Sequence, residues 1–231
     1  MSFLYARGVN TTLETTLSGA PAHFDLGDYE LTESLLWTPE EGFFLMDLHM
    51  QRLSDAAQRC RVTVWTWRAM NVLHHTIQPA PKDRLKVRLR VSPCGMYRGD
   101  AKVIPQTPTE PLLLRWASEP IDSTSPYMYY KTTNRSVYDK NLAESSPAGD
   151  VMLYNERGEV TETCLANIVI KRGGQLFTPA IRCGLLGGTF RRSLIDAGEV
   201  EEAVLTRDDV ENAEQIFIVN SVRKWRTGQL I

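Results

Sequence analysis

Short apolar segments separated by tight turns dominate the second half of the sequence and limit the folds that the chain can adopt. The segments with strand character are 150–154, 159–171, 175–178 and 214–220. The segments predicted to be helical lie between them, at 136–144, 189–196 and 207–212. This strand content is too high for a helical bundle. We therefore expect an α+β fold with mixed or mostly antiparallel sheets.

The first half of the chain opens with a predicted hairpin. Apolar segments at 31–37 and 43–46 flank a turn at 38–42 that contains proline and glycine. Asp47 follows at a position typical of a helix cap, and apolar residues then recur at three-to-four spacing as far as Cys60. This pattern predicts an amphipathic helix directly after the hairpin.

One more helix and two more strands are predicted before the middle of the chain. Residues 66–77 favour a helix, and the segments 85–91 and 111–116 favour strands. The segment 85–91 alternates strictly between apolar and basic residues. Because side chains alternate across a strand, Arg88 and Arg90 are expected to point to the same face.

A polar segment bounded by prolines, 119–126, is the best candidate for a linker. It predicts a smaller α+β domain over residues 1–118 and a larger domain over residues 127–231.

The composition excludes several classes of function. The chain has 26 basic and 28 acidic residues, a formal net charge of −2, so it has no general electrostatic attraction to nucleic acid or to anionic lipid. No apolar run approaches the roughly 20 residues of a membrane helix, and the first residues lack the layout of a secretory signal. The four cysteines are scattered without metal-binding spacing. We expect a cytoplasmic protein with no metal and no nucleic-acid or membrane partner.

Four features of the second half carry chemical meaning. Lys131 follows an aromatic segment and precedes a polar turn, and Glu162 lies within a segment suited to a buried strand. A buried carboxylate needs a cationic partner or a ligand. The glycine-rich loop 184–188 leads into a predicted helix, which is a favourable place for a phosphate. Ser221 ends a predicted strand.

Taken singly, each feature has an ordinary structural explanation, such as a surface lysine, an edge-strand acid or a connecting loop. Together they supply what pyridoxal phosphate requires: an amine that forms a Schiff base, a carboxylate for the ring nitrogen and an anion site for the phosphate. The combination therefore predicts a pyridoxal-phosphate site.

The same residues carry a resemblance to a known family. The chain resembles the fold-type IV pyridoxal-phosphate enzymes, which include the branched-chain and D-amino-acid aminotransferases and aminodeoxychorismate lyase. The resemblance covers roughly residues 29–231 and is most like the lyases. Its markers are LHMQRL at 48–53, KTxNR at 131–135, VTExxxxN at 160–167, GLLxGTFR at 184–191 and NS at 220–221.

The resemblance implies a two-domain α+β fold with the cofactor between the domains, and a role for each matching residue. Lys131 would hold the cofactor as a Schiff base and move protons, and Glu162 would bind the pyridinium nitrogen. The phosphate would be bound by Arg52, by the backbone amides of Thr189 and Phe190, and by Ser221.

Further positions have expected roles beside this set. Arg88 matches a position that some relatives use for substrate carboxylates, and Arg90 is its neighbour on the same face. Asn167 is expected to be a structural member of the Glu162 strand. Lys140 is an alternative candidate for the lysine that forms the Schiff base, but it is set aside because it lies in a charged helical segment.

The function that the resemblance implies is conversion of 4-amino-4-deoxychorismate to 4-aminobenzoate and pyruvate by a homodimer. Two alternatives stay open from the sequence. One is an aminotransferase that acts on D-, branched-chain or other amino compounds, and the other is a non-catalytic protein that has kept the fold.

Overall fold

The computed structural model describes residues 23–79 and 82–231. The first 22 residues of the predicted smaller domain therefore lie outside the described part. The helices are α1 Met46–Cys60, α2 Thr66–Thr76, α3 Ser136–Ala143, α4 Thr189–Asp196 and α5 Arg207–Glu211. The strands are β1 Leu31–Thr38, β2 Gly42–Phe43, β3 Leu85–Val91, β4 Tyr97–Val103, β5 Leu112–Trp116, β6 Asp150–Tyr154, β7 Val160–Thr163, β8 Asn167–Arg172, β9 Gln175–Pro179, β10 Glu201–Ala203, β11 Gln215–Asn220 and β12 Lys224–Leu230.

The smaller sheet has four strands in the order β2-β1-β3-β4, and all its pairings are antiparallel. Strand β3 has the predicted alternation, with its leucines and valines buried and its basic residues half-buried on the opposite face. Helix α1 packs against β1 and contributes the buried Leu53 to the core. Burial of one apolar face therefore fixes which side of the sheet the basic residues occupy.

The larger sheet has eight strands in the order β10-β9-β8-β11-β12-β5-β6-β7, and β7 also pairs with β8. The additional pairing closes six strands into a ring, to which β9 and β10 are added. The pairs β12–β5, β5–β6 and β9–β10 are parallel and the others are antiparallel. The prediction of an α+β fold with mixed sheets is confirmed.

Some predicted boundaries were wrong for local reasons. The segment 159–171 forms two strands, because the Thr163 hydroxyl accepts a hydrogen bond from the Ala166 amide and closes a tight turn. Asp47 does not cap α1, which starts at Met46 after Leu45, a residue with a left-handed backbone of φ 55° and no capping side chain. Strands β4, β10 and β12 were not predicted.

The segment 119–126 is held to the larger sheet, although its composition predicts a linker. The Ile121 amide donates to the Tyr154 carbonyl at 2.8 Å, and the Ser123 hydroxyl donates to Glu156 at 2.6 Å. Strand β5, which the predicted boundary assigns to the smaller domain, is hydrogen bonded within the larger sheet. The division into domains 1–118 and 127–231 stays a prediction. Within the described residues, no helix has the length and apolar character needed to cross a membrane.

Candidate active site

Lys131 lies in the connection between β5 and β6 of the larger sheet, where this connection touches β1 of the smaller sheet. Its carbonyl accepts a hydrogen bond from the Thr32 amide at 2.9 Å, and the Thr133 amide donates to the Glu30 carbonyl at 2.8 Å. The side chain is half-buried and lines a pocket between α1, β1 and the first turn of α4. The amine has no hydrogen-bond partner within residues 23–79 and 82–231. It is therefore available to a ligand in this pocket.

The surroundings of Lys131 favour the neutral amine. Burial lowers the pKa of Lys131, the nearby charge of Arg52 lowers it further, and Glu33 opposes both, so the pKa falls to about 8. A neutral amine has a free electron pair, whereas an ammonium group does not. This environment suits a nucleophile or a base that works near neutral pH.

Glu162 lies on β7, almost fully buried, with three hydrogen-bond donors around its carboxylate. The Tyr138 hydroxyl donates to Oε1 at 2.8 Å, the Leu186 amide donates to the same oxygen at 3.1 Å, and Asn167 Nδ2 donates to Oε2 at 3.2 Å. Burial raises the pKa of Glu162 to about 7, although the hydrogen bonds and the charge of Lys131 act in the opposite direction. A cationic N–H donor at this carboxylate would complete its neutralisation.

Asn167 connects this acid to the glycine loop. It lies on β8 and pairs across the turn with Glu162, so the expectation that it belongs to the Glu162 strand was wrong. Its Nδ2 also donates to the Leu186 carbonyl at 2.8 Å. A Cβ on Gly188 would lie 2.0 Å from Asn167 Oδ1, so any larger residue would displace the Asn167 side chain from its present position.

The other end of the pocket is suited to an anion. Arg52, from α1, donates from Nη1 to the Gly187 carbonyl at 3.0 Å, and Thr189 begins helix α4 beside it. The first backbone N–H groups of a helix have no partner within the helix and carry the positive end of its dipole. A guanidinium and a helix N-terminus therefore line the same pocket as the Lys131 amine.

Two residues of this region, Glu33 and His49, were not found from the sequence. Arg52 binds the Glu33 carboxylate through Nη2 at 2.5 Å and Nε at 2.9 Å, and His49 Nδ1 lies 2.6 Å from Glu33 Oε2. His49 Nε2 lies 3.1 Å from the Thr189 hydroxyl. Two features of the sequence could have indicated them. Glu33 is two residues from both Leu31 and Leu35 and so shares their buried face of the strand, and His49 precedes Arg52 by three residues.

At neutral pH, His49 is uncharged and Glu33 is ionised. Burial lowers the pKa of His49, so the ring is neutral at pH 7 and its Nδ1–H donates to Glu33. Nε2 then accepts from the Thr189 hydroxyl. Burial raises the pKa of Glu33, but Arg52 and His49 together outweigh it and lower the value to about 2. The ionised Glu33 thus fixes the guanidinium of Arg52, the tautomer of His49 and, through His49, the hydroxyl of Thr189.

Replacing Glu33 with glutamine should destabilise the fold by about 3–5 kcal/mol, the usual cost of removing one partner of a buried ion pair. Because the folded-state pKa of Glu33 is depressed, its stabilising contribution is full above the ordinary value of 4.5 and is lost as pH falls toward about 2. Chemical denaturation between pH 3 and 7 measures this. The difference between wild type and Glu33→Gln should shrink at the acid end, and a constant difference would contradict the assignment.

Other predicted site residues lie away from the Lys131 pocket. The Ser221 hydroxyl donates to the Ser34 carbonyl at 3.2 Å, and the Phe190 ring packs edge-on against Phe44 and Trp225. The backbone of Phe190 nevertheless belongs to the first turn of α4. Lys140 is exposed and pairs with Glu119 at 2.7 Å.

The two strand arginines differ in their surroundings. Arg90 Nη2 donates to Asp100 at 3.2 Å, whereas Arg88 has no hydrogen-bond partner in the described part of the chain. Neither arginine lines the pocket beside Lys131. Their predicted contact with substrate stays a prediction, as do the individual roles of the cofactor-binding residues.

Comparison with known proteins supplies the family. The sequence pattern of the family described as "Amino-transferase class IV" matches residues 30–231. The chain belongs to this family. A Schizosaccharomyces pombe protein named "Putative aminodeoxychorismate lyase" is 32% identical over 211 residues, which cover 87% of this chain and 89% of that protein.

Two solved structures extend the comparison of this class IV family member. A crystal structure from Mesorhizobium loti, of a "Putative amino-acid aminotransferase", has a TM-score of 0.84 and 31% identity, and covers 88% of this chain and 100% of that one. The PLP-bound form of "a hypothetical aminotransferase" from Mycobacterium tuberculosis has a TM-score of 0.75 and 21% identity, and covers 92% and 86%. The predicted fold-type IV architecture and the prediction of a pyridoxal-phosphate-dependent enzyme are confirmed.

Proposed function

We propose that this class IV family member binds pyridoxal 5'-phosphate between Lys131 and Glu162, with the phosphate beside Arg52 and the first turn of α4. The observation that carries the proposal is the Lys131 amine, which faces a pocket without a hydrogen-bond partner in the described chain and has its pKa lowered to about 8. The donor set suits the group: the amine shares the pocket with a guanidinium and a helix N-terminus, and the buried Glu162, which does not line that pocket, is close enough for the charge of Lys131 to lower its pKa.

The chain's own residues can perform the steps that such a reaction needs. When bound, the cofactor supplies an electron sink that stabilises negative charge on the substrate carbon next to the amine. Lys131 Nζ, as a neutral amine, would be the base that takes the proton from that carbon. Glu162 would hold the ring nitrogen of the cofactor and keep it protonated. Tyr138 and Leu186 hold the carboxylate in position through Oε1.

For the overall reaction, we propose a lyase that converts 4-amino-4-deoxychorismate to 4-aminobenzoate and pyruvate. One C–H bond and the C–O bond to the enolpyruvyl group break, the ring becomes aromatic, and the released enol takes up a proton to become pyruvate. The relative from Schizosaccharomyces pombe, matched over 87% of this chain, supports this choice.

Amino transfer to a keto acid is the second candidate. The Mesorhizobium loti structure, with 31% identity and a TM-score of 0.84, supports it. Both reactions begin with removal of the same proton by Lys131. The lyase and the transferase differ only in where the electrons and the proton go afterwards.

Product analysis on one preparation tests both candidates. The purified chain is loaded with cofactor and given 4-amino-4-deoxychorismate alone, and 4-aminobenzoate and pyruvate are quantified. A parallel reaction contains amino donors with a keto-acid acceptor. Equal amounts of 4-aminobenzoate and pyruvate without an acceptor support the lyase, whereas product that requires the acceptor replaces it with the transferase. Borohydride reduction followed by peptide mapping should place the cofactor on Lys131, and a label elsewhere would overturn the site.

Covalent capture of the cofactor should depend steeply on pH. Because only the neutral amine reacts, the rate constant should rise about tenfold per unit up to pH 8 and then level off, following a lysine pKa of about 8. At pH 7 the neutral fraction is about 10%, a few hundred times that of a free lysine with a pKa of about 10.4. Stopped-flow absorbance on the cofactor-free chain measures the rate. A rate that still rises above pH 9.5 would contradict the lowered pKa.

We also propose that the protein is a cytoplasmic homodimer. The described chain exposes Trp65, Trp67 and Met96 to 54%, 56% and 57%, and Trp65 touches the hydroxyl of Tyr97 in the edge strand β4. Large exposed apolar side chains grouped in this way are typical of protein contacts. All four cysteines are free, as expected in a reducing compartment. Sedimentation equilibrium tests the dimer, and an active monomer would refute it.

A further inference from the structure

An open cavity of about 470 Å³ shares no lining residue with the pocket at Lys131. Its walls come from both sheets: Leu36 and Thr38 of β1, Arg84 just before β3, Thr107 from the segment between β4 and β5, and Arg223 and Lys224 at the turn between β11 and β12. Nothing in the site described above makes use of these side chains.

Three arginines near this cavity lack a balancing carboxylate. Arg84 Nε and Arg226 Nε are buried nitrogen atoms without any hydrogen-bond partner, and Arg223 uses Nη1 to donate to the Pro105 carbonyl. In the described part of the chain, none of the three forms an ion pair with an acid. Burial lowers the pKa of Arg223, and the positive charges of Arg84 and Arg226 lower it further. Arg84 and Arg223 line the cavity, and their uncompensated positive charges favour an anion there.

Two acids, Glu40 and Glu41, also line the cavity, and among the described residues neither forms an ion pair with an arginine. Glu41 pairs with Lys224 at 3.5 Å, and Lys224 also lies 4.5 Å from the ring centre of Phe44. Lys224 adopts a left-handed backbone with φ 57°, which is unfavourable for a residue other than glycine. Its charge is thus satisfied within the wall, and the two guanidinium groups of Arg84 and Arg223 remain for a ligand.

We propose that this cavity binds the carboxylate of a small organic acid, with Arg84 and Arg223 as its cationic donors. Planar guanidinium groups match a carboxylate in geometry and charge. The Thr38 hydroxyl, which accepts from the Glu41 amide, can still donate a hydrogen bond, and the buried Leu36 offers an apolar surface to a carbon skeleton. A cavity of about 470 Å³ exceeds the size of a lone inorganic ion, which favours an organic acid.

The position of Arg84 relates the cavity to Lys131. Arg84, Lys86 and Arg88 are every second residue along the chain at β3, so their side chains share one face. Neighbouring members of this row are about 7 Å apart. The charge of Lys86 is felt at Lys131, where it lowers the pKa of the amine. A row of cations thus runs from the amine toward the cavity. The carboxylate belongs either to the substrate itself or to a separate regulatory acid, and only the first source rests on the proposed function.

Calorimetric titration of the full chain tests the site, with succinate as the probe and neutral succinamide as its matched control. We expect succinate to bind and succinamide not to bind. Arg84→Gln and Arg223→Gln should each weaken succinate at least about tenfold, since hydrogen bonds to charged groups contribute about 1.5–3 kcal/mol. Arg182→Gln, which removes an exposed arginine elsewhere, should leave the affinity unchanged.

Each outcome decides the proposal. Equal heats from succinate and succinamide, or unchanged affinity in both variants, would overturn it. Thermal melting checks folding, and Arg84→Lys serves if Arg84→Gln does not fold, because lysine keeps the charge but loses the planar donor pair. If the bound carboxylate belongs to the substrate, the KM of the substrate rises in Arg84→Gln. If it belongs to a separate acid, added succinate changes the turnover of wild type but not that of Arg84→Gln. Because the titration needs no cofactor, its failure is distinct from failure to label Lys131.

Discussion

Replacing Lys131 with alanine should lower turnover at least about 1,000-fold, since one side chain is expected to anchor the cofactor and to carry the proton. Loss of the amine removes both tasks at once. The buried acid, Arg52 and the first turn of α4 remain, so cofactor should still bind without covalent attachment. Turnover is measured with saturating cofactor. The label that borohydride reduction fixes to the protein is measured as well, and it should be absent in this variant.

Lys140→Ala is the matched control for this variant. Lys140 lies nine positions further along the same segment, is exposed and pairs only with Glu119 among the described residues. Its replacement should leave turnover and labelling unchanged. Because burial of Lys131 disfavours its charge, Lys131→Ala should melt no lower than wild type. Residual activity above one tenth in Lys131→Ala, with the fold intact, would remove Lys131 from the mechanism.

The sequence predicted those strands and helices that show a regular pattern of apolar and polar residues within their own segment. The alternation of 85–91 and the apolar segment 31–37 gave β3 and β1 almost to the residue, and helix α4 starts and ends as predicted. The missed strands carry polar residues; β4 and β10 are mostly exposed, and β12 is half-exposed. Their strand structure comes from pairing with neighbours distant in sequence, which a local pattern does not contain.

For the candidate site, the sequence supplied the residues but not their connections. Lys131, Arg52 and Thr189 were predicted and line one pocket. Glu33 and His49 were missed because a single acid in a strand and a single histidine in a helix are usually explained by solvent or by the core. Their meaning depends on distances of 2.6 Å and 2.5 Å between groups brought together only by folding.

The position of Glu162 was predicted for the right reason but with the wrong local structure. A carboxylate in an apolar segment indicated a partner, yet the segment was expected to be one strand. The turn after Thr163 reverses the chain and places Asn167 opposite Glu162, where it also holds the glycine loop. A turn made by a threonine hydroxyl and three small or apolar residues has no strong signal in composition.

Glu162→Gln is the second large effect that we expect, with turnover about 100- to 1,000-fold lower and the cofactor still bound. Glutamine has the shape of glutamate and can still accept at Oε1 from Tyr138 and Leu186, so the fold should remain, although the hydrogen bond from Asn167 to Oε2 is lost. It has no charge to keep the ring nitrogen protonated, so the electron sink is weakened. The measurements are turnover and the visible absorbance of the bound cofactor, which should persist with an altered spectrum.

Glu159→Gln, on the same hairpin, is the matched control, because Glu159 is partly exposed and pairs with Arg157 at 2.8 Å, whereas Glu162 is buried. Its turnover should equal that of wild type. Tyr138→Phe separates charge from shape: it removes a hydrogen bond that lowers the pKa of Glu162, so that pKa should rise above about 7. The cofactor-free acid would then ionise only at higher pH, and the pH at which cofactor binds half-maximally should shift upward. Turnover of Glu162→Gln within about threefold of wild type would mean that the ring nitrogen has another partner, because loss of a required charge cannot be that small.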